Sequence, residues 1–244
     1  MSSDLKSIGL KYGKWQDAVE AAIATNNLAV IGEVRGGQLI QFSDGSGAQI
    51  NILAVEPFAT YAGFASTTRT HAHVTMLNDV VAFCEVLDPF GGVIMNVTVN
   101  LAQGPLIADE ETQQWQELGV TALAIDADTY ASTDEFLSTT GRDLGVIESP
   151  GAEAVANGSG ASAPDAAARF SARVLEAEYR NNQLTGQRFI HASVDGAFPF
   201  DVCLPDGELP QRDSVIAGTA LLTGALIAPA GCGGCGGSCG CGGH

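Results

Sequence analysis

The chain runs to 244 residues, enough for one large domain or two small ones with a buried core, and 45% of it is hydrophobic. Only 16% is charged, with 28 Asp and Glu against 11 Lys and Arg, a formal net charge of −17. The hydrophobic content excludes wholesale disorder, and the missing positive field disfavours DNA, RNA and anionic membranes as partners.

The first residues lack the apolar stretch of a secretory signal, and all three lysines (Lys6, Lys11, Lys14) fall within the first fourteen positions. Trp15, Val19 and Ala22 or Ile23 share one helical face, which predicts a helix over residues 13–25 inside an N-terminal helical segment, 1–27. Residues 28–108 read as a first antiparallel β domain. The runs 28–35, 38–43 and 48–55 are separated by Gly36-Gly37 and Asp44-Gly45-Ser46-Gly47, which predict tight hairpins. Beyond Pro57, three more strands are expected over 69–76, 80–87 and 93–101.

Residues 109–148 read as a helical acidic insert. Asp109-Glu110-Glu111 supplies a first turn, Gly119 a stop, and Ser132 or Thr133 a second start. The Ala/Gly/Ser/Pro stretch 149–168 reads as a linker, and 169–230 as a second β segment. The apolar run within 215–228 is shorter than the ~20 residues of a membrane span and is interrupted by Gly218 and Gly224, so a core strand is expected. Gly37-Gln38 with Asp44-Gly45 echoes Gly186-Gln187 with Asp195-Gly196, a hint of duplication. The expected fold class is mainly β (α+β): two small antiparallel β-barrel or sandwich segments, with an N-terminal helix, a helical acidic insert and a Cys/Gly-rich tail. By strand count, either β segment fits a short Greek-key barrel of the oligonucleotide/oligosaccharide-binding (OB) type.

The tail, 231–244, reads GCGGCGGSCGCGGH. Cys232, Cys235, Cys239 and Cys241 have the spacing C-x2-C-x3-C-x-C, with His244 as a fifth donor. Soft sulfur donors this close suit zinc or copper(I). Ordering ten such residues costs ~10–20 kcal/mol, whereas zinc supplies ~10–16 kcal/mol in fingers, so tight binding calls for help from the folded body. The stretch also resembles the Gly/Cys/Ser-rich peptides that heterocyclising enzymes convert to thiazoles, as in the microcin class.

His71-x-His73 is the second metal candidate, because residues i and i+2 share a strand face. It is similar to the H-x-H step of cupins, but Leu77 and Asn78, or Met76 by the nearest count, stand where the cupin Glu would fall, and Glu85 is too far along. Cys84 and Cys203 read as buried structural thiols, and His191 as a hydrogen-bonded, partly buried histidine. Signatures of nucleophilic, phosphate-binding and zinc-protease chemistry are absent.

The leading expectation is a soluble, cytoplasmic, acidic, non-enzymatic binding or assembly module whose tail holds a soft metal. It would partner with a protein or with copies of itself. One alternative is a self-assembling structural β protein with an inert or cross-linking tail, and another is a small-molecule enzyme using the His71/His73 face.

Overall fold

The structure is a computed structural model and describes residues 3–158 and 163–227. The N-terminal helices α1 (Ser3–Lys6) and α2 (Trp15–Ala24) precede a four-stranded meander. Its strands are β1 (Leu28–Val34), β2 (Gly37–Ser43), β3 (Ala48–Leu53) and β4 (Ala59–Phe64). α2 falls where the apolar spacing predicts it, with Ala18 and Ala22 buried and Ile23 left exposed. The first hairpin turns on Arg35 and Gly36, both at positive φ, so the two-residue loop lies one position earlier than Gly36-Gly37. The second turn is capped by Asp44, whose carboxylate accepts from Ser46 N–H and also from Gln183 N–H.

The remaining elements form a second, mixed sheet. β5 (Thr70–Met76), β6 (Val81–Leu87) and β7 (Val93–Leu101) are followed by the short helix α3 (Gly104–Ile107) and the 18-residue strand β8 (Gln113–Tyr130). After α4 (Thr133–Thr140), β9 (Ile147–Glu148) and α5 (Pro150–Ala156) come β10 (Ala167–Asn181), β11 (Arg188–Asp195), β12 (Pro199–Pro205) and β13 (Val215–Leu226).

These strands close into two five-membered rings that share the β8–β13 ladder. Ring one runs β5-β6-β7-β13-β8 and returns to β5. Ring two runs β10-β11-β12-β8-β13 and returns to β10. In each ring one pair is parallel, β7 with β13 and β12 with β8, and the other pairs are antiparallel. The halves β5–β8 and β10–β13 are therefore equivalent in topology. Each supplies four strands to its own ring and lends its fourth to the other. The inward side chains of both rings form one continuous core, from Val74, Cys84 and Val97 through Val120 and Ala122 to Phe170, Phe200 and Ile216. The meander and the N-terminal residues cover the outer face of ring two, where Phe42, Ile50, Phe64 and Leu10 pack on Leu123, Phe189 and Cys203.

The mainly β expectation holds, but the closed rings are not built from the two segments to which the OB-like strand count was applied, since 28–108 is divided between the two sheets. Three boundaries change. Residues 109–148 are not a helical insert, because 113–130 is the longest strand. Leu118, Val120, Ala122 and Ala124 alternate into the core, and that burial outweighs the local acidic helix signal. Gly119 is a close approach, since a Cβ there would meet Ser66, and not a helix stop. The linker 149–168 contains α5 and is tied down by Thr98, whose hydroxyl donates to Asp165 O at 2.6 Å. Residues 169–230 are not a separate segment, since β13 closes both rings. The echo of residues 37–45 in 186–196 does not mark the repeat either: β2 lies in the meander and β11 in ring two.

Candidate functional site

The residues expected to hold a metal, Cys232, Cys235, Cys239, Cys241 and His244, lie outside the described residues. The point where the chain leaves is well fixed. Leu226, at the end of β13, is held on both sides of its backbone by one amide: its N–H donates to Gln103 Oε1 (2.9 Å) and its C=O accepts from Gln103 Nε2 (3.2 Å). Ile227 N–H then donates to Glu117 O. Glu117 sits on β8 directly opposite His71 of β5, so the chain departs one strand away from His71.

His71 and His73 do share the outer face of ring one, as their spacing predicts. The strand register also brings Glu85 opposite His73, a neighbour hidden by the intervening hairpin. A bulge in the β5–β8 pairing puts Trp115 at φ 53° beside both rings, with centroids 6.5 Å from His71 and 5.9 Å from His73. Trp115 N–H donates to His73 Nδ1 at 3.1 Å, which leaves the neutral ring's proton on Nε2. That ring offers a donor rather than a second lone pair, whereas His71 has no such contact. No group of three or more His, Cys, Asp or Glu side chains able to hold a metal ion is found among the described residues.

Cys84 points into ring one while the two histidines point out, so no Cys–His pair forms there. Burial pushes the Cys84 thiol up to about 12. The nearest approach to a triad lies on ring two, where Cys203 is opposite His191 and two residues from Asp201. His191 Nε2 meets Asp201 Oδ2 at 2.9 Å, and Phe64 stacks on the imidazole. Asp201 also accepts from Thr67 N–H at 2.6 Å and from Thr68 N–H. Burial alone would raise the Asp201 pKa. The bonds from His191 and Thr67 outweigh it and hold the carboxyl below its ordinary value. Cys203 is pushed the other way, by burial and then by the charge of Asp201. A thiol raised in pKa and sealed under the meander is no nucleophile. This cluster is an anchor between β4, β5 and ring two.

A third feature carries no sequence motif. β12 pairs with β8 only at residues 121–123, and β5 only up to Leu118. Past Leu123, β8 keeps β13 on one side and, among the described residues, has no strand on the other. Two local causes separate the strands: Pro205 has no N–H to continue the ladder, and Ile125 is an extra residue between the Thr219/Asp126 and Ala220/Ala124 pairs. The gap is a cleft of about 620 Å³ with Ile190, Leu204 and Leu209 among its apolar lining and Asp126, Glu135 and Glu208 as its charged residues. Its lining holds no Lys or Arg.

Among the described residues, no helix is long and apolar enough to cross a membrane. Comparisons with protein-family models, with curated proteins and with solved structures find no match.

Proposed function

We propose that this chain is a non-enzymatic binding or assembly module whose double ring presents a thiol-rich segment that captures a soft metal, zinc or copper(I). Cys232, Cys235, Cys239 and Cys241 are its ligands, with His244 auxiliary. The observation that carries the reading is the clamped exit of the chain beside His71. Cys232 is the fifth residue after Ile227, a reach of about 17 Å, whereas His71 is two strand spacings away, about 10 Å. An imidazole already fixed on a strand costs little further ordering. His71 therefore offers the outside help that a glycine-rich thiol segment needs. His73, with its Nδ1 engaged by Trp115, is not a ligand in this reading.

Metal content of protein purified without chelator, followed by cobalt(II) titration, tests it. The full chain should show thiolate-to-metal charge-transfer absorption, and deletion of 231–244 should abolish it. His71→Ala should weaken binding by about tenfold, equivalent to about 1.4 kcal/mol. A full chain that binds no metal, or metal retained after the deletion, overturns the proposal.

Self-assembly is a second reading, favoured by one observation: β1 is a free edge of the meander and carries exposed Val30 and Ile31. It predicts large particles in light scattering with or without residues 231–244.

A further inference from the structure

We infer that the cleft beside β8 is a docking site for an extended, basic segment of a partner protein, which adds as a strand to the free edge at residues 124–130. The site is distinct from the tail and from the His71 face, and it rests on described residues alone.

Three observations point to this occupant. First, the free edge is the length of an ordinary strand, about 23 Å at 3.3 Å per residue. Among the described residues its outward backbone N–H and C=O groups lack a strand partner, because β12 turns away at Pro205 and β5 has ended. Such an edge is a template for strand addition, in which main-chain bonds give affinity and alternate side chains give selectivity. Second, Ile190 and Leu204 belong to the core of ring two and reach the cleft between the separated strands. Both are nearly sealed there, so the apolar contact to alternate side chains of an added strand comes from Ile125, 41% exposed, and the half-buried Leu209 in the same lining. Third, the charged lining is wholly acidic. Among the described residues the Asp126 and Glu208 carboxylates have no hydrogen-bond or ion-pair partner, while Glu135 accepts from Ala131 N–H. With a net charge of −17 behind it, this rim favours Lys or Arg at the intervening positions.

The chain's own tail does not fit, since 228–244 holds no Lys or Arg, and the three lysines sit at the packed N-terminus. An anionic ligand would face three carboxylates.

The test uses the full chain and a seven-residue peptide alternating lysine and valine, with fluorescence anisotropy and amide hydrogen exchange as readouts. Two control peptides separate the contributions: one with the central valine replaced by proline, which keeps the charge but cannot pair, and one with glutamate for lysine. The lysine/valine peptide should bind, the proline peptide about tenfold more weakly, and the glutamate peptide not measurably. Exchange at 124–130 should slow on binding. Asp126→Asn with Glu208→Gln should weaken binding several-fold without changing the melting temperature, and added salt should do the same. Equal binding of the proline and valine peptides, unchanged exchange at 124–130, or no binding of the lysine peptide overturns the inference. None of these results bears on metal capture by the tail.

Discussion

Asp201 shows what one buried charge does in this chain. It is fully buried, and a lone carboxylate there would be strongly unfavourable; His191, Thr67 and Thr68 between them satisfy it. Asp201→Asn keeps the shape but points an amide at backbone donors, and should cost about 3–5 kcal/mol in urea denaturation. The pH dependence has a definite sign. The folded carboxyl sits below its ordinary value of about 3.9, so its stabilisation is complete above that value and fades as pH falls through the lower, folded one. The acid side of a stability profile should therefore flatten in Asp201→Asn. Cys84 and Cys203 are buried with raised pKa values, so iodoacetamide should leave both unlabelled in the native protein and reach them on unfolding. Labelling of Cys84 or Cys203 at native rates, read by mass spectrometry, would contradict that packing. His191 was legible in the sequence as a buried, hydrogen-bonded histidine. Its partner was not: Asp201 meets it across a hairpin, and Asp201 in turn takes the Thr67 N–H from 134 residues away along the chain.

At the scale of the element, β8 decides the architecture. Its acidic approach and Gly119 imitate a helix, and only the pairing with β13 reveals the alternation of Leu118, Val120, Ala122 and Ala124 as a core face. Meander hairpins were readable because their turns are local chemistry. A strand shared by two rings was not, because its three partners β5, β12 and β13 are distant in sequence. The tightest point of the shared ladder is Gly218, where a Cβ would meet the carbonyl of Asp126 and the Cα of Ala127. Backbone cannot yield as a side chain does, so Gly218→Val should destabilise the protein by about 1–3 kcal/mol. Gly207→Ala, where an added Cβ has ordinary space, should leave the thermal midpoint nearly unchanged. Loop 182–187 is the other tie between layers. Asn182 donates to Ile8 O, Thr185 to Gly9 O, and Gln183 N–H bonds Asp44, so one turn of ring two holds both the N-terminal segment and the meander.

The whole molecule behaves as one unit because neither ring is complete without the other half. Fragments 1–158 and 163–244 should each lack native tertiary structure and recover it on mixing, as read by near-ultraviolet circular dichroism. A native spectrum from either fragment alone would refute the interlock. The strand-like runs and their turns foretold the class of this fold, and the acidity of the cleft belongs to the chain's excess of carboxylates. The exchange of fourth strands left no local trace. The lending of β13 to ring one has a kinetic consequence for synthesis. On the ribosome, β5, β6 and β7 are finished by Leu101, yet the staves that close them include one beginning only at Val215. β8 joins β5 once Tyr130 is made, and from there to Val215 the nascent chain carries an open four-stranded sheet with unpaired margins, whose slow, long-range closure is of the sort that leans on chaperones.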